Sequence, residues 1–180
     1  MRSPFYLKIF QTPTGREVQV CIAPPHQFVF NHQQQLLPDW NQSVAHLIVV
    51  LQQSSISLKE SNFEVAQEKD NLRAEFIRFG CTVIFGLRAQ GYKSDLFDPR
   101  TGQALLAPQG KLTLNDNAVV QALLDYPVVS YQNCSLLTHP LWGNKVYPST
   151  MATVADQKRT QFCLEQVAAS QKWITKSRDY

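Results

Sequence analysis

Charge is scarce in this 180-residue chain: Asp, Glu, Lys and Arg together make up 17% of it. With 44% hydrophobic residues, that composition excludes a disordered chain or a long charged coiled coil. Long apolar runs are missing too. The longest, Leu47 to Leu51, is far short of the roughly 20 residues of a membrane span, and the first eight residues contain no signal-peptide core. Mean hydropathy is −0.23. The expectation is a soluble, cytoplasmic protein with no membrane partner. Lys/Arg clusters are lacking, and a net charge of +3 without a basic stripe argues against nucleic acid as a partner. There is no GxGxxG, P-loop, GxSxG or SxxK. No two histidines among His26, His32, His46 and His139 have metal-ligand spacing, and His26 and His32 read as solvent-facing.

Cysteines are few, at 21, 81, 134 and 163, and none forms a C-x-x-C pair, so zinc-ribbon and thioredoxin patterns both fail. In a reducing compartment all four are expected as free thiols, mostly as small buried hydrophobes.

What is present is the patterning of one domain over residues 1–180, with residues 1–16 as a possible N-terminal arm or edge strand. Phe5–Phe10 and Glu17–Ile22 flank Thr12-Pro13-Thr14-Gly15 and predict a hairpin. Pro24-Pro25 precedes a short helix to Leu37. Val44–Gln53 predicts a strand buried on both faces, and Phe63 and Val65 a return strand. A long helix is expected over Asn71–Gln90, with Asp70 as N-cap and Gly91 as C′ residue. Leu72, Phe76, Phe79, Val83, Ile84 and Leu87 form its apolar face. Gly80 and Gly86 inside it point to close packing against a sheet. Tyr92–Phe97 and Ala104–Ala107 around Asp98-Pro99-Arg100-Thr101-Gly102 predict a second hairpin. Asn115–Asp125 reads as a short helix. Val128–Tyr131 and Ser135–Thr138 read as strands broken at Asn133-Cys134, and Val146–Tyr147 as a short strand. Asp156–Lys172 reads as an amphipathic helix through Phe162, Leu164, Val167 and Ala168. The sum is an α+β chain, an antiparallel sheet packed on a long central helix.

Asp95 and Asp98 would suit an acid/base pair, but the turn at Pro99 explains Asp98 without catalysis. Cys134 stands apart: it lies in the polar break Gln132-Asn133-Cys134-Ser135, five residues before His139-Pro140. An accessible thiolate there is a soft metal ligand and a nucleophile.

The ordered set Leu87-Arg88-Ala89-Gln90-Gly91-Tyr92, Asp95-Leu96-Phe97-Asp98-Pro99 with Gly102, then Cys134, His139-Pro140-Leu141-Trp142-Gly143 and the Val146 strand resembles the C-terminal domain of the cobalamin-trafficking CblD family. The resemblance implies a modified flavin-nitroreductase-like fold that has lost flavin and works as an adaptor without classical enzyme activity. It implies docking on a CblC-like cobalamin-processing protein and passage of the cofactor to methionine synthase or methylmalonyl-CoA mutase. It also implies a cysteine near the His139–Gly143 segment that ligates the cobalt of cobalamin, carried here by Cys134. Asn133, His139, Trp142 and Gly143 then border the cofactor, with His139 close enough to hydrogen-bond the thiol. The family's animal members have two adjacent cysteines before this segment; here the first of those positions is Asn133. The reading from another class is a flavin-dependent or thiol-redox enzyme on the same scaffold. An exposed sheet edge would serve a homodimer or a partner equally well.

Overall fold

Turn chemistry sets the first reversal of the chain. Gly15 adopts φ +87°, and the Thr12 N–H donates to the Arg16 carbonyl at 2.9 Å, closing strands β1 (Tyr6–Gln11) and β2 (Glu17–Ala23) into a hairpin. The computed structural model describes residues 5–177, so residues 1–4 of the expected arm lie outside it. Helix α1 (Gln27–Leu36) follows Pro24-Pro25, and β3 (His46–Gln53) is buried along nearly its whole length.

The remaining elements are α2 (Phe63–Ala89), β4 (Ser94–Leu96), α3 (Asp116–Leu124), β5 (Val128–Tyr131), β6 (Cys134–Leu137), β7 (Val146–Thr153), α4 (Gln157–Ser170) and β8 (Ile174–Thr175). Six strands form an antiparallel sheet in the order β4-β7-β3-β2-β1-β8, and β5 and β6 form a separate hairpin. The fold is α+β, as the sequence predicts.

Alternation along the strands builds two cores. Val18, Val20, Ile22, Ile48 and Val50 face α2 and α4, meeting Phe76, Val83, Ile84 and Leu164. Cys21, Ala23, Leu47, Val49 and Leu51 face the other way, toward α1, α3, Trp40 and Trp142. The sheet is therefore covered on both faces, not by the central helix alone.

Several local expectations are corrected. Phe63 and Val65 open α2 instead of forming a strand. Asn62 caps the helix by accepting from the Val65 N–H at 2.9 Å, and Phe63 is 82% exposed while Val65 is buried, so the period is not two. Asp70 consequently lies inside α2, where it pairs with Arg100. Gly91 is the C′ residue at φ +89°. Gly80 packs against the sheet, a Cβ there falling 3.0 Å from Leu96 Cδ1, but Gly86 packs against α4, 2.9 Å from Cys163 Sγ. Phe162 is 63% exposed, and Cys163 takes the buried place on α4.

Residues 104–107 make one bridge, Ala104 to Phe97, and then leave strand geometry. The Asp95 carboxylate draws the Leu106 and Ala107 N–H groups to itself, at 3.1 and 2.7 Å. β7 has eight residues where two were expected. Its Pro148 lies beyond the end of β4, where β3 is the flanking strand, so the missing N–H costs no ladder bond.

Candidate functional site

Cys134 is the first residue of β6, directly opposite Tyr131 on β5. The two residues between them, Gln132 and Asn133, both have positive φ, 45° and 64°. That is the two-residue reversal whose twist matches a hairpin. The polar break is thus a turn, and the strands flanking it pair with each other. Asn tolerates this conformation well, and both Asn133 and Cys134 are exposed.

Alternation puts Val129, Tyr131, Cys134 and Leu136 on one face of the hairpin and sends Leu137 from the other face into the core. Two contacts hold the hairpin: the Lys59 ammonium lies 4.2 Å from the Tyr131 ring centroid, and Asn117 Nδ2 donates to the Ser135 carbonyl at 3.1 Å. The thiol therefore stands on a supported element with solvent in front of it.

The other cysteines differ. Burial pushes the Cys21 thiol up to about 12 and raises those of Cys81 and Cys163 as well. A thiol whose pKa is raised in this way is a poorer nucleophile than an exposed one.

His139, Trp142 and Gly143 belong to a separate structure at the hairpin's root. Five residues of nearly extended chain separate His139 from Cys134, on the order of 15 Å. His139 is 1% exposed. Its Nδ1 accepts from the Leu141 and Trp142 N–H groups at 3.1 and 3.2 Å, which fixes the tautomer and leaves Nε2–H to donate to Gln19 Oε1 at 2.9 Å. Gln19 Nε2 in turn donates to the Tyr126 hydroxyl at 2.9 Å. The Trp142 ring stacks on His139 at 3.8 Å, and its Nε1 donates to Glu17 Oε2 at 2.9 Å, while Lys176 pairs with the same carboxylate. Gly143, at φ +58°, closes the loop by exchanging backbone hydrogen bonds with His139. Both His139 ring nitrogens are committed to this network, so the residue serves as an anchor for the loop. Of the five residues singled out in the sequence, Asn133 and Cys134 are brought together, and the other three are brought together elsewhere.

The two carboxylates weighed as an acid/base pair are tied down. Asp98 accepts two bonds from Arg73, at 2.7 and 2.6 Å, and the Arg73 guanidinium holds its pKa below the ordinary carboxylate range. Asp95 is fully buried, and desolvation raises its pKa against three backbone N–H bonds.

Sequence reasoning missed a cleft of about 600 Å³ beside the hairpin. Its walls come from α2, the 99–102 turn, the start of α3, β6 and the start of β7. Asp116, at the first position of α3, lines it. The Thr150 hydroxyl donates to Asp116 Oδ1 at 2.6 Å; among the described residues no donor meets Oδ2. Burial pushes this carboxyl up to about 7, and the nearby Asp98 charge adds to the effect. Tyr147, also lining the cleft, is pushed up to about 12 by burial and by Asp116. Asn115-Asp116 in the sequence reads simply as a helix start, and nothing local marks it as the floor of a cleft.

Among the described residues no three His, Cys, Asp or Glu side chains converge as a metal cage, and no helix is long and apolar enough to cross a membrane. A single exposed thiol suits a metal that brings its other ligands with it. Comparison with known proteins places these features in context. The model of the family described as methylmalonic aciduria and homocystinuria type D protein matches residues 8–164. The rat protein named cobalamin trafficking protein CblD is 28% identical over 120 residues, 67% of this chain and 40% of its own. The human protein of the same name gives the same identity and coverage. The matched stretch thus spans 40% of the length of these curated relatives.

Proposed function

The chain belongs to the methylmalonic aciduria and homocystinuria type D protein family, and from that premise we propose that it is an adaptor in cobalamin trafficking that takes the cobalt of its cargo onto Cys134. Membership of the family supports a role in cobalamin metabolism; that role, the ligation, the partner and the absence of catalysis are our reading. The observation that carries it is the placement of Cys134: an exposed thiol at the end of a hairpin held by Lys59 and Asn117. Cys134 would hold the cobalt of the cargo as a soft thiolate donor, the thiol giving its proton to solvent and the sulfur displacing a labile water from the metal.

The chain's own work is to present that donor. The hairpin turn fixes where the sulfur points, and Val129, Tyr131 and Leu136 give it an apolar surround on the same face. The family's first cysteine position is filled here by Asn133, whose positive φ puts it in the turn, so the paired-strand position falls to Cys134. In this reading the fold is a flavin-nitroreductase-like scaffold without flavin, acting in the cytoplasm. It docks on a CblC-like processing protein, and cobalamin then passes to methionine synthase or methylmalonyl-CoA mutase. The flavin or thiol-redox alternative draws no support from the comparisons.

The test is the visible spectrum of aquocobalamin mixed with the protein, with and without a CblC-like partner. The wild type is expected to shift the spectrum to that of a thiolate complex, and Cys134→Ser to leave it unchanged. A shift that persists in Cys134→Ser, or none in the wild type under either condition, overturns the ligation.

A further inference from the structure

The β5–β6 hairpin is separate from the main sheet and has two edges of its own. The Thr138 N–H donates to the Pro127 carbonyl, so residues 127, 129 and 131 turn their main-chain groups toward β6. Val128 and Ser130 turn theirs outward. On the opposite edge the outward carbonyl of Ser135 accepts from Asn117 Nδ2 at 3.1 Å, so α3 meets that edge. On the β5 edge, among the described residues, no donor or acceptor meets the main-chain groups of Val128 or Ser130. Proline and charge, which blunt exposed edges, are absent from Val128-Val129-Ser130-Tyr131, and three of these four residues are strong β-formers. Val129 is 50% exposed on the face it shares with Cys134.

An open edge of this kind takes an extended segment, whose main chain completes the ladder and whose alternate side chains pack on one face. A second copy of this chain is a poor occupant. Stable self-association buries about 1,200–2,000 Å² in total, and two four-residue strands fall far short of that. A segment already tethered nearby needs much less area, because the tether raises its effective concentration. In the reading above, the cobalt on Cys134 is that tether. Cys134 lies on the strand next to β5, so a strand added to β5 runs about 10 Å from the one bearing the sulfur.

Building on that reading, we propose that the β5 edge receives an extended segment of the protein that carries the corrinoid, turning the two-stranded ribbon into a three-stranded one in the complex. Val128 and Ser130 make the main-chain bonds. In the antiparallel pairing, the stronger of the two, Val129 then falls in a pair without direct hydrogen bonds, where side chains come closest. The segment places an apolar side chain there. The edge orients the partner while the sulfur takes the metal.

Amide hydrogen exchange reads the edge, and the visible spectrum reads the cobalt–sulfur bond. The probe is a CblC-like protein loaded with aquocobalamin, at saturating concentration. In the protein alone, the Val128 and Ser130 amides are expected to exchange at least tenfold faster than those of Val129 and Tyr131. In the complex they should slow at least tenfold. Cys134→Ser should abolish the thiolate spectrum and keep that protection. Ser130→Pro removes one outward donor and no bond of the hairpin. It should weaken the complex at least tenfold by titration calorimetry, while Cys134 keeps its rate of labelling by a chromogenic disulfide within about twofold. Should the labelling change, replacing the Ser130 amide by an ester removes the same donor without constraining the backbone, and the same tenfold loss is expected. Protection without a thiolate spectrum upholds the edge and sinks the ligation. A thiolate spectrum with both amides still exchanging freely overturns the edge and spares the ligation. Full-strength binding by the proline and ester variants, or no complex under any condition, overturns the edge too. So do amides that are already slow in the protein alone and are freed by dilution, which would assign the edge to self-association.

Discussion

Asp116 is buried beside another carboxylate, Asp98, and that has a measurable consequence at the level of one side chain. Its folded pKa is about 7, against about 4 in an unfolded chain. Between those values the folded state holds the proton more often than the unfolded state, so this group stabilises the fold below pH 4 and loses that contribution as pH rises through 7. The unfolding free energy of the wild type, taken relative to Asp116→Asn, is expected to drop by on the order of 2 kcal/mol from pH 5 to pH 8. His26, whose pKa is lowered by burial, works in the opposite direction but is common to both proteins and cancels in the difference. Urea titrations at the two pH values decide the matter, and parallel profiles would refute the assignment. A second residue-scale expectation concerns the thiols. Native protein treated with a chromogenic disulfide should label Cys134 first and Cys81 more slowly, with Cys21 and Cys163 released by denaturant. Labelling of Cys163 before Cys134, read by peptide mass, would contradict the exposures described. Cys134 was legible because polar neighbours set it apart from Cys81. The setting of His139 was legible only in part: its partners Gln19 and Trp142 lie 120 residues away and three residues away, and only the near one is visible in a local reading.

Elements whose signals are local were readable, and elements stabilised from a distance were not. α2 announces its buried face through Leu72 to Leu87 and its end through Gly91, and β3 through an unbroken apolar run. β7 conceals itself. Pro148-Ser149-Thr150 has the composition of a turn, yet Ser149, Thr150 and Thr153 are fully buried. Thr150 is satisfied by Asp116 and Thr153 by Ser94, partners supplied by α3 and β4. The crossing of α2 and α4 provides the element-scale test. A Cβ on Gly86 would lie 2.9 Å from Cys163 Sγ. Gly86→Ala gains about 1 kcal/mol of helix propensity but overpacks the crossing by about 1–3 kcal/mol. The net expectation is lower stability, restored by Cys163→Ala in the same chain with a coupling of at least ~1 kcal/mol. Additive effects of the two substitutions in a denaturation cycle would rule out the contact.

At the scale of the whole molecule, the central sheet joins two cores that share no helix. Val49 and Val50 are consecutive on β3 and point into opposite ones. If the chain is one cooperative unit, Val49→Ala and Val50→Ala each lower stability by about 1–3 kcal/mol and shift the same unfolding transition. Two separated transitions, by near-ultraviolet dichroism and calorimetry, would divide the molecule into independent halves. The α+β class and the antiparallel sheet were legible from strand and helix periodicity. The coverage of both faces was not, because α3 and the 97–146 region fold onto the sheet through contacts no local pattern encodes. The cleft was hidden for the same reason: its walls come from residues as far apart as Leu58 and Pro148.

The strand order carries a further consequence, for the time at which the fold can form. β7 is inserted between β3 and β4, pairing Thr153 with His46 and with Ser94. As the polypeptide leaves the ribosome, β1, β2 and β3 can zip together early, through a tight turn and neighbouring pairs. The far edge of β3, its Leu47–Leu51 backbone groups included, then waits for a strand roughly a hundred residues downstream. Such distant pairings make loop closure expensive and place a domain among slow folders, on the order of milliseconds to seconds. During that interval an apolar strand edge stands open, the condition under which nascent sheets aggregate. The last interior strand to be synthesised is thus the one that seals the sheet.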